Sequence, residues 1–258
     1  MTKSLLIART VLIEAVRRRE VYAIVLISIL LIGAVATTRF FGLEGIGKFY
    51  REVALQIMTI ATNLTVIAIG ARQLPREFEN RTIYPLLAKP VSRFSFMFGK
   101  LLGVMAAGAF CFLIFMVIFI AGSFYLKAPV HIAIFLQFLY LQMLCLLIMA
   151  TLSFMLSLLT NLDASITIAT IFYVTGSIFL NAITYLYAYS GEVAKFVLLT
   201  LLFVIPQTSL FDLSEKVVHQ EAWGPVHLHT ILFLTVYSLI FSSIFFGISY
   251  LLFRRRAL

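Results

Sequence analysis

Hydrophobic and polar positions follow one another in long blocks along this chain, and the blocks predict helices of membrane length. Six apolar runs, at about 21–38, 53–71, 101–126, 132–159, 165–187 and 230–253, are each roughly 18 residues or more, enough for a helix to cross a hydrocarbon core. A seventh, at 193–211, contains Lys195 near its start and is interrupted by Pro206-Gln207-Thr208. If it crossed, Arg254, Arg255 and Arg256 would lie outside and the stretch carrying His219, His227 and His229 would lie inside. That opposes the excess of Lys and Arg on cytoplasmic segments. The expected fold is therefore all-α with six transmembrane helices. The 188–229 segment is expected as outer re-entrant helices and loop between spans five and six, with its broken backbone satisfied by protein or a wet cavity.

Charge supports this topology. With a cytoplasmic amino terminus, fourteen of the twenty Lys and Arg fall inside, while Arg39, Lys48, Arg51, Lys127, Lys195 and Lys216 fall outside. Both termini are then expected in the cytoplasm and the chain in the cell (inner) membrane. The composition, 62% hydrophobic and 12% charged over 258 residues, cannot cover a soluble domain with polar surface. The net charge of +9 is spread between the spans, so topology explains it better than nucleic acid does. Cys111 and Cys145 both lie inside apolar runs, which argues against a disulfide framework.

Ahead of the first span, residues 1–19 place Leu5, Leu6, Ala8, Val11, Leu12, Ala15 and Val16 at helical spacing, with Lys3, Arg9, Arg17 and Arg18 able to reach lipid phosphates. This predicts an amphipathic helix in the cytoplasmic interface. A signal peptide is the competing reading of Arg17 to Arg19 before an apolar run, but the leader is too long and too amphipathic for one.

The middles of the spans contain no Lys, Arg, Asp, Glu or His. Ion-coupled carriers depend on such intramembrane groups, so the energy for any transport must come from elsewhere. The polar residues within the spans are neutral: Gln56 and Asn63 in the second, Gln137 and Gln142 in the fourth, Asn181 in the fifth. Each is either an interhelical hydrogen bond of about 1 kcal/mol or less, or part of a substrate path. Asp163, behind Asn161, is expected to cap the fifth helix.

The one long polar insertion, 72–100, holds six of the basic residues. Pro75 is placed to start a short helix, because its fixed φ suits a first turn. Arg76, Glu77, Glu79 and Arg81 would give that helix a mixed-charge surface around Phe78. Tyr84-Pro85 and Lys89-Pro90 then end helical structure, and Ser92 can cap the helix leading into the third span.

Further along, Asp212, Glu215, His219, Glu221, His227 and His229 gather in one outer segment, but no His pair stands at i, i+4. A polar surface loop is expected there, with no metal site and no cofactor. Trp223, with Tyr185, Tyr187 and Tyr189, suits an outer aromatic belt. No G-x-x-x-x-G-K-[ST] motif occurs, since Gly99-Lys100-Leu101 lacks both the earlier glycine and the hydroxyl. No catalytic constellation is placed at membrane depth either, so the chain is not expected to be an enzyme.

Arg76-Glu77-Phe78-Glu79-Asn80-Arg81-Thr82, then Leu86-Leu87-Ala88-Lys89-Pro90-Val91-Ser92-Arg93, then Gly99-Lys100, resemble the loop signature of permease subunits of ABC-2 type exporters. The resemblance holds especially for the six-span group often labelled for multicopper-enzyme maturation. Asn80-Arg81-Thr82 departs from it, since Gly commonly precedes the Thr. The Pro206 to Leu213 sequence, PQTSLFDL, is similar to the family's outer segment.

The resemblance implies a single transmembrane domain over 1–258, a separate cytoplasmic ABC ATP-binding subunit and a second permease chain, identical or related. It implies that Arg76, Glu77, Phe78, Glu79 and Arg81 form a cytoplasmic coupling helix that meets the ATPase. Glu79→Lys is then expected to uncouple ATP hydrolysis from transport. The alternative is a stand-alone secondary carrier or channel, separable by whether an ATP-binding protein co-purifies.

Overall fold

The computed structural model describes residues 3–17, 19–37, 43–79, 92–127 and 130–255, and all regular structure among them is helical. In chain order the elements are α1 (Lys3–Val16), α2 (Arg19–Thr37), α3 (Leu43–Glu79), α4 (Arg93–Tyr125), α5 (Ile132–Leu159), α6 (Leu162–Tyr189) and α7 (Glu192–Val204). A 3-10 turn (Thr208–Phe211), α8 (Ser214–Val218) and α9 (Leu228–Arg255) follow. Among the described residues, α3, α4, α5 and α9 contain helices long and apolar enough to cross a membrane, with shorter apolar stretches at Val25–Ala34 in α2 and Leu162–Ile178 in α6. The chain is a membrane protein.

Contacts fix the direction of each helix. Asn63 meets Cys145 and a Cβ at Gly70 would meet Ser153, so α3 and α5 run parallel. Ser238 on α9 donates to the Leu144 carbonyl and Tyr140 pairs with Thr235, so α9 runs the same way. By contrast Lys100 meets Glu77 while Tyr50 meets Phe119, so α4 is antiparallel to α3. The start of α4, the ends of α3 and α9, and α1 therefore share one end of the bundle, the terminal end, with the 205–227 segment at the opposite, loop end.

Two apolar clusters fill the bundle. One, toward the loop end, centres on Leu55, Phe112, Phe115, Phe119, Phe138 and Ile148; the other, at the terminal end, on Val66, Leu74, Phe96, Val104, Phe154 and Phe253. Buried hydroxyls of α3 turn back on their own helix, Thr62 to the Met58 carbonyl and Thr65 to that of Ala61, so each of the two keeps an acceptor inside the core.

Three sequence expectations need correction. The helix expected as the second span does not begin near 53 but at Leu43, and carries Arg51 and Glu52 within it. Hydropathy treats charges as loop, whereas a long Arg stem packs inside and sends its head to the Val218 carbonyl, 3.2 Å away. Pro75 does not start a new helix, because α3 runs unbroken through it to Glu79. In the final turn a proline removes only one backbone bond, and side-chain contacts described below hold that turn. Asp163 is in the first turn of α6, with Asn161 at the cap position and no side-chain cap bond made there. Ser92 does cap α4, accepting the Ser95 N–H at 3.1 Å.

The apolar residues of α1 divide between two faces. Ala8, Val11 and Ala15 are buried, while Leu5 and Leu6 remain half exposed. The buried face lies on α4 where Gly99 and Gly103, one turn apart, let the two backbones approach, as small-xxx-small pairs do within membranes.

Candidate functional site

α3 carries a polar residue at each of positions 52, 56, 59 and 63, a spacing of four, three and four that puts Glu52, Gln56, Thr59 and Asn63 on one face. That face lines a cavity of about 420 Å³ near the loop end. Gln142 and Cys145 of α5, Tyr173 and Ser177 of α6, and Thr208, Ser209, Asp212, Ser214 and Glu215 of the 205–227 segment complete its polar wall. Exposure grades along it: Glu52, Gln56, Asp212 and Glu215 are exposed, whereas Thr59, Asn63, Gln142 and Cys145 are buried. The cavity thus has an acidic mouth and an amide floor. With a rise of about 1.5 Å per residue, Glu52 and Asn63 are about 16 Å apart along the helix.

The floor is partly satisfied from within. Asn63 donates to the Thr59 carbonyl at 2.8 Å and accepts from Cys145 Sγ at 3.7 Å. Gln142 Nε2 and Ser209 Oγ, both buried, have no hydrogen-bond partner among the described residues. Asp212 is fixed at the mouth by accepting from both the Ser214 N–H and its hydroxyl.

The 205–227 segment is a wall of this cavity because four helices tie it down. Arg51 of α3 donates to the carbonyl at the end of α8, Thr208 donates to the Tyr173 carbonyl at 3.2 Å, and the Gln207 N–H donates to the Tyr237 hydroxyl at 3.2 Å. Gln137 of α5 clasps Val226 twice, donating to its carbonyl at 3.0 Å and accepting its N–H at 2.8 Å. At Gly176 an added Cβ would stand 2.6 Å from the Pro206 carbonyl oxygen. Gly176→Val is therefore expected to push the segment off α6, costing about 2 kcal/mol and speeding proteolysis within 205–227. Cleavage no faster than in the unaltered chain would contradict this packing.

Of the five residues expected along a substrate path, Gln56, Asn63 and Gln142 come together in the cavity. Gln137 is instead engaged with Val226 of the 205–227 segment, and the Asn181 side chain lies outside the described residues. Glu52, Asp212 and Glu215 were not foreseen there, although the 52, 56, 59, 63 spacing was readable. Among the described residues, no group of three His, Cys, Asp or Glu converges as metal ligands.

At the other end of α3, Lys100 of α4 is 6% exposed and donates to Glu77 at 2.6 Å and to Gln73 at 3.1 Å. Its ammonium also stands over the Phe96 ring. Arg76 pairs with Glu14 of α1 at 2.6 Å, and Phe78 packs against Phe253 of α9. Three of the five residues expected to meet an ATPase therefore fasten the end of α3 to α1, α4 and α9. Glu79 closes α3, its side chain outside the described residues, as is all of Arg81 together with the proline turns of 80–91.

No curated protein matches this chain. The family model described as ABC-2 family transporter protein matches residues 5–258, which includes both ends of α3 and the 205–227 segment. The chain belongs to the ABC-2 family and is a transmembrane permease of the ABC transporter class.

Proposed function

We propose that this chain is the membrane-path subunit of an ATP-driven exporter, paired with a second permease chain and powered by a separate cytoplasmic ATP-binding subunit. The observation that carries the reading is the dual engagement of α3. One helix lines the cavity from Glu52 to Asn63 and is fastened to three neighbours from Gln73 to Phe78. A push on its last turn becomes a rigid displacement of the cavity wall some 20 Å away at about 1.5 Å per residue.

In this reading α2 and α6 also cross, giving six spans, and the Lys and Arg excess puts the terminal end and both termini in the cytoplasm of a cell (inner) membrane protein. α1 lies in the interface, with Leu5 and Leu6 toward lipid. The 190–227 segment folds back on the outer side. The ATP-binding subunit is contacted by Glu79, Arg81 and the rest of the 80–91 sequence, while Arg76, Glu77 and Phe78 transmit the movement inward. The chain itself catalyses no reaction and holds no cofactor.

Affinity purification of the tagged chain in gentle detergent tests this. An ATP-binding protein is expected to co-purify, the isolated chain is expected to hydrolyse no ATP, and Glu79→Lys is expected to abolish transport while membrane insertion persists. Recovery of a transport-competent chain without such a subunit would shift the reading to a stand-alone carrier.

A further inference from the structure

We infer that the cavity between α3, α5, α6 and the Thr208–Val218 segment binds a small hydrophilic organic cation that carries hydrogen-bond-accepting oxygens. Two independent features specify that chemistry. The charged residues of the lining, Glu52, Asp212 and Glu215, are all carboxylates, in a chain whose net charge is +9. Bases on the same elements are turned to other work: Lys48 pairs with Glu221 at 3.1 Å, Arg51 holds the Val218 carbonyl, and Lys216 stands over the Trp223 ring.

The second feature is at the floor. Gln142 is 2% exposed, yet its Nε2 donors meet no acceptor among the described residues. A buried amide left this way costs about 1–3 kcal/mol, which an acceptor oxygen on a bound molecule would relieve. Ser209 Oγ stands ready in the same way.

The two features are ordered along the cavity. Carboxylates at an exposed mouth attract and orient a positive group, and low-dielectric walls focus their field inward. The donor at the buried floor then reads the opposite end of the molecule. A bare alkyl cation leaves Gln142 unsatisfied, an anion meets three carboxylates, and a lipid tail meets amides and hydroxyls where it needs apolar wall. About 420 Å³ suits a molecule of sugar or amino-alcohol size, within the roughly 300–1,000 Å³ of ordinary ligand sites. That this molecule is cargo rests on the permease reading above; that it binds does not.

Charge selectivity tests the inference without the ATP-binding subunit. In a Cys111→Ala, Cys145→Ser background, Ser177→Cys places one thiol on the cavity wall, to be modified by cationic aminoethyl or anionic sulfonatoethyl methanethiosulfonate. The cationic reagent is expected to react at least about tenfold faster, beyond the ratio for a free thiol, and Glu52→Gln with Glu215→Gln, which leaves Asp212 alone at the mouth, is expected to cut that excess at least about threefold. Glucosamine, protonated at mildly acidic pH, is expected to slow the modification, while glucose and glucuronate leave it unchanged. Because both native cysteines are buried, Ser177→Cys in the otherwise native chain gives a second reporter if the multiple variant does not fold.

Equal rates, an anionic preference, a ratio that survives the double Gln change, or failure of glucosamine to protect better than glucuronate would overturn the assignment. Capture of the ATP-binding subunit, measured separately, shows whether the transporter reading stands on its own.

Discussion

Lys100→Met is expected to destabilise the protein by about 3 kcal/mol and to abolish transport. The substitution keeps most of the stem volume and deletes a charge that is almost wholly buried, 2.6 Å from Glu77 and 3.1 Å from Gln73. Removing the ammonium takes the counter-charge from a largely buried carboxylate, and breaking a buried pair in this way costs about 3–5 kcal/mol, well above the loss of the attraction alone. The Glu77 carboxylate would then pull toward water and carry the last turn of α3 with it. That turn has one backbone hydrogen bond fewer than an ordinary helical turn, since Pro75 cannot donate to the carbonyl four residues back.

Replacing both partners separates the two contributions. Lys100→Met with Glu77→Leu is expected to recover the thermal midpoint in detergent to within about 1 kcal/mol, because a packed apolar pair of similar volume is often as stable as the ions. If the double variant unfolds as early as Lys100→Met alone, buried charge is not what the single change exposes. Arg76 is different in kind: its pair with Glu14 is solvent-exposed on both sides, so Arg76→Ala is expected to move stability by less than about 1 kcal/mol.

How far the sequence could be read depends on which signals are local. The apolar runs that became α3, α4, α5 and α9 were legible because a spanning helix must be apolar along its own length, whatever it packs against. Ser92 was legible as a cap because its partner is three residues away. The start of α3 at Leu43 was hidden because Arg51 and Glu52 read as loop until the Val218 carbonyl, distant in sequence, is seen to accept from the arginine. Glu77 and Arg76 looked like a display surface for the same reason: nothing near them in sequence announces that Lys100 and Glu14 are their partners.

The cavity was half legible. Gln56, Asn63 and Gln142 stood out as polar residues in apolar runs, and the structure gathers them. Gln137 carried the same signal and is a backbone clasp, because an amide in a helix pairs equally well with a loop or a ligand. The acidic mouth depends on Asp212 and Glu215 folding back against Glu52, a juxtaposition of distant segments that no short window contains.

Gly103→Leu is expected to have the second large effect, releasing α1 from the bundle. Even the first carbon of a side chain there would stand 2.5 Å from Val11 Cβ and 2.9 Å from the Ala8 carbonyl oxygen, and one turn earlier Gly99 is as tightly met by Ser4 and Ile7. The obstacle on the α1 side includes backbone, which cannot turn aside as a rotamer does, so the helices must part; overpacking of this kind costs about 1–3 kcal/mol or more. Ser4 and Ser95 offer a direct reporter, since their hydroxyl oxygens are 2.8 Å apart across this interface. With both changed to cysteine, oxidation is expected to link α1 to α4 readily in the otherwise native chain and at least about tenfold less in the Gly103→Leu background. Because Glu14 reaches Arg76 only while α1 is docked, the same variant should also weaken the hold on the end of α3. Transport should therefore fall together with cross-linking, and a variant that cross-links poorly yet transports at the native rate would show that α1 plays no part in carrying movement to the cavity.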